Sequence, residues 1–163
     1  MTGPEGRASP EGRFTSVAEE ARGDSAAGNG RVRLEMADIS KRLKAALADL
    51  AEFDLVVGVA TGGTVLASLS AYELGLPLQL MRLNYRAEDG TPRRKGPELL
   101  EPFLLAGRRR ILLVDDVSVT GATFQAAFSH LKGHSARTLV LKGRADTVLY
   151  PEVTRCVLLP WRD

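Results

Sequence analysis

The sequence predicts an α/β domain, a doubly wound, mainly parallel sheet flanked by helices. Three observations carry that prediction. Apolar runs at residues 55–60, 78–83, 111–115 and 138–141 read as buried strands, since strands covered on both faces are apolar throughout rather than alternating. Between them fall stretches whose apolar residues recur at helical spacing. Two of the runs end in short Gly/Thr loops that lead straight into such a helix. Strands and helices alternating in this way form crossover units, whose ligand sites lie at the carboxyl edge of the sheet.

The elements follow in order. Residues 1–30 are rich in Gly, Pro, Ser and alternating charge, with Phe14 and Val17 the only larger apolar residues after Met1. That composition buries too little surface to offset ordering entropy, so a flexible low-complexity tail is expected ahead of a domain over residues 31–163. Residues 31–36 alternate and suggest a short strand. Asp38 or Ser40 can cap the next helix, whose stripe is Ile39, Leu43, Ala46, Leu47 and Leu50. After the 55–60 strand and Thr61-Gly62-Gly63-Thr64, a second helix carries Val65, Leu66, Leu69 and Tyr72, and Gly75 with Pro77 ends it. Residues 84–98 lack hydrophobic periodicity, and so long a loop inside a compact domain is usually functional or disordered. Phe124, Ala127, Phe128 and Leu131 mark the helix after the central strand, and residues 157–159 are a short apolar tail before Pro160-Trp161.

Composition narrows the function classes. A length of 163 residues suits one domain, and 44% hydrophobic with 26% charged residues is globular composition. A net charge of +2 gives no argument for nucleic acid. With Cys156 the only cysteine and His130 and His134 the only histidines, an intrachain disulfide is excluded and a zinc site disfavoured. No apolar run reaches the length of about 20 residues that spans a bilayer, and the N-terminus has no apolar signal core, so a cytoplasmic protein is expected.

The chemistry concentrates in residues 111–124, where Ile111-Leu112-Leu113-Val114 leads into Asp115-Asp116 and then Val117-Ser118-Val119-Thr120-Gly121-Ala122-Thr123-Phe124. Strand, Thr/Gly loop and helix aim backbone N–H groups and hydroxyls at one point, which is how a phosphate is held. Two acceptor-only carboxylates at the strand's end suit a diol or a hydrated magnesium ion. The glycine turn at Ala60-Thr61-Gly62-Gly63 is a second anion-compatible junction. Two such turns in one sheet suit a ligand with phosphates at both ends.

Residues 111–124 resemble the phosphoribosyl-pyrophosphate signature of the type I phosphoribosyltransferases: an apolar strand, two acids, an apolar residue, two variable positions and Thr-Gly-x-Thr. By that resemblance Asp115 and Asp116 bind the ribose hydroxyls and help hold Mg2+. Val119, Thr120, Gly121, Ala122 and Thr123 wrap the 5′-phosphate, and Ala60, Thr61, Gly62 and Gly63 form the pyrophosphate loop. Residues around 84–98 correspond to the mobile hood over the reacting centre, with Tyr85, Arg86, Arg93, Arg94 and Lys95. Lys142, Cys156 and Val157 fall where the base is read, and the ending at Pro160-Trp161 is similar to the xanthine-guanine branch. The family implies transfer of ribose 5-phosphate from phosphoribosyl pyrophosphate to a nitrogenous base, with a purine the leading acceptor. It also implies a homodimer, and the charge and hydropathy above lead to an expectation of neither nucleic acid nor membrane as partner.

Three positions depart from the purine pattern. Val119 stands where enzymes of 6-oxopurines carry an Asp, and valine exchanges no proton. Cys156 replaces an aromatic that stacks on the base. Thr61 replaces a cation of the pyrophosphate loop, for which Arg86, Arg93, Arg94 or Lys95 of the hood could compensate. These departures keep a second expectation open: a non-catalytic regulatory protein that binds phosphoribosyl pyrophosphate or a nucleotide on the same fold.

Overall fold

A computed structural model of the chain describes residues 30–50, 52–84 and 96–162. Its elements are β1 (Val32–Arg33), α1 (Met36–Ala48), β2 (Leu55–Ala60), α2 (Thr64–Leu74), β3 (Leu78–Asn84), β4 (Glu98–Leu99) and β5 (Arg110–Val114). They continue with β6 (Val117–Ser118), α3 (Ala122–His130), β7 (Ser135–Val140), β8 (Lys142–Gly143), β9 (Thr147–Val148) and β10 (Val157–Leu158). The large sheet has the order β4-β3-β2-β5-β7-β9. Every pairing in it is parallel except β3 with β4. Two small parallel pairs, β1 with β10 and β6 with β8, complete the topology.

The predicted doubly wound architecture is what the chain adopts, and the reason is visible in the central strands. Along β2, Leu55, Val57 and Val59 point to one face, where Ile111 and Leu113 of β5 meet Phe124, Ala127 and Leu131 at α3. Val56, Leu112 and Val114 point to the other, against Ile39, Leu43 and Leu47 of α1 and Leu66, Ala67 and Ala71 of α2. Period two in the strand therefore fills two cores at once. Leu43, Leu66, Leu112 and Leu113 are fully buried, each contributing about 2 kcal/mol of apolar transfer. Gly58 lets α2 lie close on the sheet, since a Cβ there would stand 2.6 Å from the Ala67 Cβ.

Several boundaries differ from expectation. The first helix begins at Met36 with Glu35 as N-cap and no side-chain cap, ahead of both expected caps. Asp38 lies in its first turn, where it favours the helix dipole and accepts hydrogen bonds from Arg42 Nε (3.1 Å) and the Tyr150 hydroxyl (2.8 Å). Only Val32–Arg33 of the expected first strand is β, because it pairs with the tail strand and nothing else. The expected 138–141 strand starts at Ser135, drawn out by pairing with Arg110–Leu112. Tyr72 is 82% exposed, because Leu66, Ala67, Ser70 and Ala71 take the buried side of α2. Phe128 is likewise partly exposed while Phe124 and Ala127 face the sheet. Gly75, left-handed with φ 62°, closes α2 as its position predicts. Tyr85, Arg86, Arg93, Arg94 and Lys95 of the expected hood lie outside the described residues.

Candidate functional site

The acidic pair follows directly on β5, at the carboxyl edge of the sheet. Main-chain bonds fix it from both sides: the Asp115 amide donates to Leu139 O (3.1 Å), and the Asp116 carbonyl accepts from the amides of Leu141 (3.0 Å) and Lys142 (3.4 Å). Each carboxylate then takes an amide near its own residue. Asp115 Oδ1 accepts from the Asp116 N–H (2.8 Å), and Asp116 Oδ1 from the Val117 N–H (2.7 Å). Both residues are buried. Burial, reinforced by the neighbouring charge of Asp116 and a side-chain hydrogen bond with it, pushes the Asp115 carboxyl well above the usual range. The Asp116 N–H and the more distant Arg162 charge oppose that rise.

The glycine turn after β2 packs against this pair. A Cβ on Gly62 would stand 2.7 Å from Asp116 Oδ1, and one on Gly63 would stand 2.6 Å from Val114 O and 2.7 Å from Asp115 Cα. Only glycine allows the turn after β2 to lie so close to the acids. The Ala60–Thr61 peptide within that turn is cis. After the acids, Val119–Thr123 runs into α3 through Gly121, left-handed with φ 82°. The Thr120 hydroxyl accepts the Ala122 N–H at 3.3 Å. Neither α2 nor α3 has a side-chain cap at its N-cap residue or an acid in its first turn. The first N–H of each helix is already taken, Thr64 by Thr61 O (3.3 Å) and Ala122 by the Thr120 hydroxyl, while the positive dipole ends remain suited to anions.

The expected base-side residues also gather here. Val117 is in register with Lys142 across β6 and β8, which sets the lysine beside the acidic pair. The Lys142 ammonium donates to Arg155 O at 2.7 Å, next to the exposed Cys156. Cys156 O and Leu158 O accept from the Val32 and Leu34 amides (2.7 and 3.0 Å). Because ladder bonds alternate sides, the N–H and C=O of Val157 are directed away from β1. Val119 is 74% exposed and Thr61 is also exposed.

Three features escaped the sequence reading. Arg162 Nη1 lies 3.4 Å from Asp116 Oδ2, a contact no local pattern announces. Ser118, just after the acids, is buried with its hydroxyl unpartnered. Gly143 has φ 114°, and a Cβ there would collide with the Ser118 main chain, so only glycine closes β8 on β6. Among the described residues no three His, Cys, Asp or Glu side chains converge on a metal position. Two adjacent carboxylates remain, which fits magnesium, an ion bound by one or two carboxylates plus substrate oxygens.

A parallel sheet whose carboxyl edge carries an acidic pair packed on a glycine turn, with a Thr-Gly loop leading from the pair into the next helix, is the arrangement of the type I phosphoribosyltransferases. A family model described as a phosphoribosyl transferase domain matches residues 33–149, and the chain belongs to that family. An orotate phosphoribosyltransferase from Pyrobaculum islandicum is 37% identical over 81 residues, 50% of this chain and 38% of that protein. A transcriptional regulator, GfcR 2 of Methanosarcina barkeri, is 35% identical over 103 residues, 60% of this chain and 50% of the regulator. The chain thus spans half or less of the length of these curated relatives. Among solved structures, the purine phosphoribosyltransferase of Pyrococcus horikoshii superposes with a TM-score of 0.69 at 23% identity, over 83% of this chain and 96% of that one, a likeness of fold.

Proposed function

We propose that this chain transfers ribose 5-phosphate from phosphoribosyl pyrophosphate to a nitrogenous base, with a purine the leading acceptor. The observation that carries the reading is the packing of Gly62 and Gly63 against Asp116 and Asp115, with the Val119–Thr123 loop beyond. That packing supports one anion-compatible turn against the acidic pair, and the second turn follows the pair along the chain. The bond between ribose C1 and the pyrophosphate oxygen breaks, a bond from C1 to a base nitrogen forms, and the nitrogen's proton is released. Asp115 and Asp116 hold the ribose hydroxyls. Val119, Thr120, Gly121, Ala122 and Thr123 bind the 5′-phosphate through amides and hydroxyls, and Ala60, Thr61, Gly62 and Gly63 receive the pyrophosphate. Catalysis on this reading is positioning together with stabilisation of the departing charge.

Asp115 and Asp116 would hold magnesium, which would supply charge neutralisation at the pyrophosphate. Lys142 and the outward N–H and C=O of Val157 read the base edge. A homodimer in the cytoplasm belongs to the same reading. Exposed Tyr72 and Leu80 are apolar surface for a second copy, and among the described residues no helix is long and apolar enough to cross a membrane.

Three observations favour a second reading. Val119 offers no proton-exchanging group, Cys156 offers no stacking surface, and a transcriptional regulator is among the similar proteins. On this reading the pocket senses phosphoribosyl pyrophosphate or a nucleotide without turnover. The test is pyrophosphate release from phosphoribosyl pyrophosphate and magnesium with a panel of purines, pyrimidines and orotate. Base-dependent release supports transfer. Tight binding without release for any base replaces the enzyme reading with the regulatory one.

A further inference from the structure

We propose that Arg162 is a built-in counter-ion of the acidic pair, resting on Asp116 in the ligand-free chain and displaced when the sugar phosphate binds. The inference rests on the assignment of Asp115 and Asp116 to the ribose. Asp116 Oδ1 is committed to the Val117 amide, so Oδ2 is the oxygen that a ribose hydroxyl or a cation would take. Arg162 stands at that oxygen. The 3.4 Å separation is longer than a charge-assisted hydrogen bond of about 2.8 Å, so the contact is chiefly one of charge. The arginine side chain is 55% exposed and that of the aspartate 10%, so the guanidinium comes in from the solvent side. A ligand must arrive from the same side.

The tail that carries Arg162 is docked but incompletely satisfied. Its amide donates to Leu159 O at 3.0 Å, and the Trp161 ring packs on the core shared with α1 and α2. The indole N–H, however, is buried with no acceptor, a condition that costs free energy as long as the ring stays in place. A half-exposed ion pair beside an unsatisfied donor is a weakly held arrangement. The buried acidic pair thus keeps a compensating charge until a ligand arrives and gives it up at little cost.

Trp161 is the only tryptophan, so its emission reports on this tail alone. The full chain and the variants Arg162→Gln and Arg162→Lys are compared by acrylamide quenching without ligand and by calorimetric titration with phosphoribosyl pyrophosphate and magnesium. Arg162→Gln should be quenched more strongly than wild type when free, and wild type should reach the same quenching once ligand is bound. Affinity should tighten about two- to five-fold in Arg162→Gln, the scale of a partly exposed ion pair, and lie in between for Arg162→Lys. Weaker or unchanged affinity in Arg162→Gln overturns displacement and makes Arg162 a ligand-holding or inert side chain. Equal quenching of the free proteins overturns the counter-ion contact itself. Absence of binding by every variant overturns the ribose assignment, while the quenching difference still measures the contact.

Discussion

Gly62→Ala tests the closeness of the two halves of the site. The added Cβ would lie 2.7 Å from Asp116 Oδ1 and 3.0 Å from its Cγ and Oδ2, against ordinary contacts of 3.4 Å or more. Either the turn or the carboxylate must therefore move by roughly 0.7 Å. Asp116 is the softer partner, and rotating it strains the 2.7 Å bond from the Val117 amide that aims it. A hydrogen bond to a charged group contributes about 1.5–3 kcal/mol, which corresponds to a loss of roughly ten- to 150-fold in affinity for the sugar phosphate. Calorimetric titration with phosphoribosyl pyrophosphate and magnesium reads that loss, and a thermal melt of the same sample should fall by about 3–12 °C. Gly63→Ala is the contrasting variant. Its Cβ meets main chain, Val114 O and Asp115 Cα, so it should chiefly lower the melting temperature. Binding by Gly62→Ala within about twofold of wild type, below the ~0.5 kcal/mol of a silent substitution, would refute the claim that the turn and the acids share one site.

Two further outcomes follow from the same geometry. In the folded chain Asp115 keeps its proton at a pH where the unfolded residue, near pKa 3.9, has lost it. The native state then binds more protons, so ligand-free stability should fall as pH rises from about 5 to about 8, and the fall should be shallower in Asp115→Asn. Melting temperatures across that range decide it, and equal slopes would show that Asp115 is ionised throughout. Gly143→Ala should cost about 2 kcal/mol or more, since φ of 114° and the Ser118 main chain both oppose a side chain. A urea midpoint unchanged from wild type would mean that β8 can move off β6.

Most of the site was legible because its parts are local. The acids, the hydroxyls and the glycines fall within a strand, a turn and the start of a helix, so their order along the chain is also their order in space. Leu55–Ala60 was readable for a similar reason: a strand buried on both faces has no polar alternation to confuse it. What lay hidden depends on contacts between distant residues. Val32 and Val157 pair across nearly the whole domain through two-residue strands too short to show a period. Arg162 reaches Asp116 only because that pairing brings the tail back to the sheet edge. The exposure of Tyr72 was hidden for another reason. Val65, Leu69 and Tyr72 make α2 apolar beyond its buried side, and periodicity cannot choose a face when every face qualifies.

The pairing of β1 with β10 also orders events in time. Closing so wide a loop for the amide bonds from Val32 and Leu34 costs more chain entropy than any step within the sheet, so this clasp should form late and open early. On the proposed reading, the sugar-phosphate half depends on β2, β5 and the turns after them, and can stand before the clasp closes. The base side cannot. In native-state hydrogen exchange the Val32 and Leu34 amides should therefore exchange through partial opening, well ahead of those in β5. If that reading holds, the chain passes through a form that grips the sugar phosphate with nothing yet assembled to accept it.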